Sequence, residues 1–134
     1  MDQPITCLLV DDDPEDHEIF RMAIDQTALD VKCFYKSSYA ETLSYLKTDS
    51  LYAPDFIFLD WYMPGIHGIK CLDTFKRNKK LNHSQFVVFS GAYSSDITGY
   101  LASVYNCKFL EKSDSIEWMA SELKIILEAN RVAY

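Results

Sequence analysis

Five short apolar runs, each ended by a polar residue, alternate along the chain with amphipathic stretches of helical length. The runs cover residues 5–10 (ITCLLV), 31–35, 56–59 (FIFL), 86–89 and 107–110. They are rich in β-branched and aromatic residues, too short for helices, and continuous rather than alternating, which predicts strands buried on both faces. The intervening stretches carry helix signals. Asp13 is a good N-cap, Pro14 suits the first helical position, Glu15 and Asp16 favour the positive end of the dipole, and Phe20, Ala23, Ile24 and Thr27 recur at helical spacing. Ser38 with Glu41 makes a capping box for a second helix that buries Tyr39 or Ala40, Leu43 and Leu46 and stops before Asp49.

The third helix is expected over 65–78, with Ile69, Leu72 and Phe75 on one face and a basic tail at its C-terminal end. Ser94, Ser95 and Asp96 offer caps for a fourth that runs to about Tyr105 and is weakened by Gly99. The fifth, about 115–130, turns Ile116, Met119, Leu123, Ile126 and Leu127 to the core. Strict alternation of strands and helices predicts a doubly wound α/β domain, a five-stranded parallel sheet with five helices on its two faces. At 134 residues the chain is expected to be one domain, 1–134, with no stretch left for an output domain.

Composition narrows the function. Nearly half of the residues are apolar (49%), enough for a real core. The balance of 13 basic against 20 acidic residues, net −7, repels phosphate backbones, and Lys76, Arg77, Lys79 and Lys80 are read as a solvated helix end, so direct nucleic-acid binding is not expected. Cys7, Cys33, Cys71 and Cys107 form no CxxC pair and lack zinc-ligand spacing, and read as reduced, buried and structural. That usage, an N-terminus without a secretory pattern and the lack of any 18-residue apolar run lead to the expectation of a cytoplasmic protein with no membrane insertion. His17, His67 and His83 are far apart and read as solvated surface residues.

In a parallel sheet the residues just past each strand end gather at one rim. Here they are Asp11 and Asp12, then Asp60, Ser90 and Lys112. A lone Asp60 could simply cap the turn closed by Pro64 and Gly65, but a second acidic strand end changes the reading. Two carboxylates about 5 Å apart repel by roughly 3 kcal/mol at an effective dielectric near 20. Lys112 can offset one charge. Three clustered carboxylates fit a hard divalent ion, Mg²⁺, and Asp60 then reads as an exposed carboxylate placed to accept a phosphoryl group, with Ser90 and Lys112 contacting phosphoryl oxygens.

The motifs LLVDDD, FLDWYMPG, FSG and FLEKS, in that order, resemble the receiver domain of two-component response regulators over essentially the whole chain. The resemblance implies the flavodoxin-like receiver fold with strand order 2-1-3-4-5, and Mg²⁺ binding by Asp11, Asp12, Asp60 and the backbone carbonyl of Tyr62. It implies phosphorylation of Asp60 by a sensor histidine kinase or phosphotransfer protein, signalling through Ser90, Lys112 and the switch aromatic Phe109, and a downstream protein target. The expected role is a stand-alone phosphorelay switch, not an enzyme beyond self-dephosphorylation.

Some positions depart from the family pattern. Ser113 follows Lys112 where proline is usual, which suggests a looser loop and a less certain aim for Lys112. Phe109 has no hydroxyl, so any signal it carries comes from packing. Tyr62 and Ala92, two past the acceptor and two past Ser90, suggest slow self-dephosphorylation, because Ala92 cannot orient a water and Tyr62 can shield the site. Trp118 and Ile125, with Tyr100, Val104 or Tyr105, form either core cover or an exposed strip for a partner or a homodimer through the last two helices. An aspartate-nucleophile phosphatase or phosphotransferase would need a second Asp where Tyr62 stands. A phosphorylation-independent interaction module would not need the full set of site residues, and no Gly-rich loop favours a flavin or nucleotide.

Overall fold

The computed structural model describes residues 3–47, 53–62, 68–91 and 95–129, with the side chains of 95–97 left aside. Five strands, β1 (Ile5–Val10), β2 (Val31–Lys36), β3 (Phe56–Asp60), β4 (Gln85–Ser90) and β5 (Lys108–Glu111), alternate with α1 (Pro14–Gln26), α2 (Tyr39–Leu46), α3 (Gly68–Arg77), α4 (Ser95–Tyr105) and α5 (Ile116–Ala129). All strand pairs are parallel, in the order β2-β1-β3-β4-β5. The predicted architecture and strand order therefore hold.

Side-chain alternation divides the interior in two. Cys7, Leu9, Phe56, Phe58, Val87, Phe89 and Leu110 meet Phe20, Ala23 and Ile24 of α1 and Met119, Leu123 and Leu127 of α5. Leu8, Val10, Ile57, Leu59, Phe86 and Val88 meet Leu46, Cys71, Leu72, Phe75 and Leu101 of α2, α3 and α4. Successive residues of a strand point to opposite faces, and both faces here are covered by helices, so the strands are continuously apolar. The start of β3 is pinned to β1 by Asp55, whose Oδ2 accepts from the Thr6 amide and hydroxyl at 2.9 and 3.1 Å.

Local chemistry sets the helix ends. Asp13 accepts from the Glu15 amide and Pro14 opens α1; Ser38 accepts from the Glu41 amide at α2. Ser115 caps α5 by accepting from the Trp118 amide at 3.2 Å. A short 3₁₀ turn at Lys79–Leu81, capped by Asn78, takes in Lys79 and Lys80 beyond the end of α3. The lysines of this stretch are not simply solvated: Lys76 Nζ lies over the Phe86 ring, and Lys80 donates to the Leu46 carbonyl at 3.3 Å.

Two packing expectations need correction. Leu72 and Phe75 are buried as expected, but Ile69 is 40% exposed and Gly68 and Cys71 complete the buried face of α3 in its place. Gly68 is required: a Cβ there would overlap the indole of Trp61, which lies directly on it. Cys33 is only partly buried, since β2 is an edge strand. The predicted start of α3 at 65–67 falls outside the described residues.

Phe20 is inaccessible and meets Phe58 and Phe89 edge-on with centroids 4.9 and 5.8 Å away. Phe20→Ala should keep the fold while lowering stability by about 3–5 kcal/mol in urea unfolding. Gly68→Ala should displace Trp61 and appear as a red-shifted tryptophan emission with a lowered Tm.

Candidate functional site

The register of the sheet builds the site. Val10 pairs with Leu59, so Asp11, the next residue of the chain, follows on the rung where β3 ends in Asp60. Asp60 in turn pairs with Phe89, and Ser90 with Glu111, which brings Ser90 and Lys112 to the same rim. Carboxylate oxygens of Asp11, Asp12 and Asp60 lie within 4.8 Å of one another, the acidic cluster of metal-binding type found among the described residues. Asp11 and Ser90 are inaccessible, Asp60 is 6% exposed and Asp12 is exposed. The expectation of an exposed Asp60 is thus corrected: β3 is central, and its last residue stays inside the sheet's cover.

Lys112 is the cation of the site. Its Nζ is 2.7 Å from Asp16 Oδ2, 2.9 Å from Asp11 Oδ2 and 3.4 Å from Asp60 Oδ1, and it stands 5.2 Å from the centroid of Phe89. Its own amide donates to the Ser90 carbonyl at 2.8 Å, tying the end of β5 to the end of β4. At Ser113, where proline is usual in the family, the side chain takes part in the loop. Ser113 Oγ accepts from the Ser115 amide at 3.0 Å, so a short side-chain turn orders the segment that proline would otherwise stiffen. Beside it opens a cleft of about 450 Å³ lined by Glu111, Lys112, Ser113, Ser115 and Trp118.

Two neighbours of the site escaped the sequence reading. Asp16 was assigned only to the helix dipole, yet the start of α1 leans over the rim and gives Lys112 its closest carboxylate. The signal was its place one turn after an acidic strand end. His17, expected in solvent, donates from Nε2 to the Asp11 carbonyl at 2.5 Å and packs against Tyr35. It has no partner at sequence spacing that would have revealed this.

Burial raises the carboxyl of Asp11 to about 7, against the opposing hydrogen bond from the Asp13 amide and the nearby Lys112. Asp60 is also raised, again chiefly by burial, while the Tyr62 amide, donating to Asp60 Oδ1 at 3.2 Å, and Lys112 pull it down. Burial alone would lower Lys112, but Asp16 and Asp11 push it upward. Asp11 Oδ2 is fully buried and, although within ion-pair distance of Lys112, has no hydrogen bond of proper geometry. An underused buried oxygen among clustered carboxylates is a donor set that fits a hard divalent cation such as Mg²⁺.

Of the remaining predicted residues, Phe109 packs partly buried against the second core with Tyr105. Tyr62 is exposed, and Ala92 lies outside the described residues. Tyr100, Val104, Trp118 and Ile125 are all exposed, which resolves the stripe on α4 and α5 as surface rather than core cover. Tyr105 is held instead, donating to Asp73 Oδ1 at 2.6 Å. Among the described residues no helix is long and apolar enough to cross a membrane.

Fold and rim together define an open parallel α/β protein with an acidic, lysine-bridged pocket at the carboxyl edge of its sheet. The family model described as the response regulator receiver domain matches residues 7–124, and the chain belongs to that family. The fold is shared with the phosphorylated cyanobacterial phytochrome response regulator RcpA (22% identity, TM-score 0.77, covering 94% of this chain and 93% of that one). It is shared with the chemotaxis response regulator CheY4 of Vibrio cholerae (16%, 0.73, 93% and 100%) and with a Mn²⁺-bound form of the response regulator Rcp1 (24%, 0.71, 93% and 93%). No curated protein matches by sequence.

A divalent ion that binds the folded site alone stabilises it by about 1.4 kcal/mol at ten times its dissociation constant. Mg²⁺ should therefore raise the Tm of the wild-type chain, and Asp11→Asn should abolish most of that rise; thermal unfolding with Mg²⁺ or with EDTA reads both.

Proposed function

We propose that this receiver domain is a phosphoacceptor switch of a two-component phosphorelay, acting in the cytoplasm, with Asp60 as the acceptor. The observation that carries the reading is the convergence of Asp11, Asp12 and Asp60 at the strand ends, with Lys112 paired to Asp11 and Asp60. Asp11, Asp12, Asp60 and the backbone carbonyl of Tyr62 would hold Mg²⁺, which when bound supplies charge neutralisation for the incoming phosphoryl oxygens. An Asp60 carboxylate oxygen attacks phosphorus, the bond from phosphorus to the donor's imidazole nitrogen breaks, and the histidine of the kinase or phosphotransfer protein leaves with that electron pair.

Lys112 pairs with one phosphoryl oxygen and Ser90 donates a hydrogen bond to another. The Ser90 hydroxyl and the packing of Phe109 carry the change outward. The burial of Asp60 keeps bulk water from it, and Ala92 offers no group to orient a hydrolytic water, so the chain acts as acceptor rather than turnover enzyme. The exposed strip of Tyr100, Val104, Trp118 and Ile125 is the surface we assign to the downstream protein target.

Incubation with acetyl phosphate and Mg²⁺ should add one phosphoryl group by intact mass to wild type and none to Asp60→Asn; equal labelling of both would overturn the reading. The phosphorylated protein should decay faster as Ala92→Glu than as wild type, measured as half-life with Mg²⁺ present. Trp118→Ala and Ile125→Ala should leave labelling of Asp60 unchanged. Size-exclusion chromatography with beryllofluoride should leave elution unchanged if the strip serves a different protein, whereas earlier elution would assign it to a second copy.

A further inference from the structure

Two thiols far from the acidic rim face each other across neighbouring strands. Cys7 on β1 and Cys33 on β2 are register partners, and both pack on the α1/α5 side of the sheet. Cys7 is inaccessible, whereas Cys33 on the edge strand is partly exposed. Adjacent strands lie about 4.8 Å apart, inside the roughly 4.4–6.8 Å range of Cα separations that a disulfide spans. The closeness of the two sulfurs pushes Cys7 up and draws Cys33 down; burial adds to the rise of Cys7 and opposes the lowering of Cys33. Cys71 and Cys107 differ: both are buried, and burial pushes each up to about 11.

We propose that Cys7 and Cys33 form a dithiol oxidised by hydroperoxides, a modification site at which Cys33 reacts first and Cys7 closes the disulfide. What separates the pair from two core-filling thiols is that Cys33 lies on the edge strand and is only partly buried, while its register partner Cys7 stands beside it on the same face. The Cys33 thiolate attacks one oxygen of hydrogen peroxide, the O–O bond breaks, and the departing hydroxide takes a proton to leave as water. The Cys7 sulfur then attacks the Cys33 sulfenic sulfur, the S–O bond breaks, and the hydroxide leaves with the Cys7 proton as a second water. Two thiols have given two electrons and two protons to the peroxide.

The site also reaches the rim. Disulfides favour a Cα separation of about 5.5–6 Å, so closing this one spreads β1 from β2. Three rungs further on, the Asp11 amide donates to the Lys36 carbonyl at 3.0 Å. Oxidation therefore loosens the placement of Asp11, a consequence that rests on the reading of Asp11 as a metal ligand.

Peptide mapping of the wild-type chain after hydrogen peroxide, without reductant, needs no phosphorylation and tests the dithiol alone. A Cys7–Cys33 linked peptide two hydrogens lighter than the free pair should form before Cys71 or Cys107 is modified and vanish with dithiothreitol. In Cys7→Ala, dimedone should instead trap a sulfenic acid at Cys33. Earlier oxidation of Cys71 or Cys107, or linkage of Cys33 to another chain, would overturn the proposal. Mg²⁺ titration by tryptophan fluorescence should show severalfold weaker binding after oxidation, restored by dithiothreitol; unchanged affinity in an oxidised protein that still binds Mg²⁺ would remove the link to the rim.

Discussion

One ammonium group held among carboxylates is the constraint on which the carboxyl edge of this sheet depends. Lys112 Nζ touches Asp11, Asp16 and Asp60, three groups brought from α1 and two different strand ends. Each pair of carboxylates at such spacing repels by roughly 3 kcal/mol at an effective dielectric near 20, so a single positive charge leaves the set over-negative. The consequence is visible in the acids themselves: burial and mutual repulsion raise Asp11, and Asp60 follows the same direction. A site in that state is poised toward added positive charge, and its chemistry follows from the charge deficit rather than from any one side chain.

The surrounding sheet makes that deficit tolerable. Leu9, Val10, Leu59 and Phe89 are inaccessible, so the strand ends cannot move apart to relieve the repulsion without opening both cores. Backbone bonds on both sides of the rim, Asp11 to Lys36 and Lys112 to Ser90, fix where the charges emerge. Packing energy thus holds an electrostatically unfavourable cluster, the usual relation between a scaffold and a functional rim.

Much of this was legible because it depends on short-range pattern. Continuous apolar runs ending in Asp, Ser and Lys mark buried parallel strands, and a parallel sheet must gather their ends, so Asp11, Asp12, Asp60, Ser90 and Lys112 could be grouped without coordinates. What failed was angular. Ile69 was placed inside, Asp16 was read only against its own helix dipole and His17 as a solvated residue, because which way each side chain of a helix turns depends on the elements packed against it. The depth of Asp60 was misjudged for a related reason: the end of a strand reads as surface until its neighbours are known to extend beside it.

The rim and the exposed strip on α4 and α5 are mechanically adjacent through β5. Lys112 continues directly from β5, Phe109 on that strand and Tyr105 of α4 both pack against the second core, and Tyr105 is tied to Asp73 of α3. Any change in charge at Asp60 alters the pull on the Lys112 ammonium, while the backbone of Lys112 stays bonded to Ser90. Further back on β5, Phe109 is only partly buried and has no hydroxyl. Its side chain meets the second core, and the exposed side chains of Tyr100 and Val104 sit on α4, whose Leu101 and Tyr105 pack on that same core.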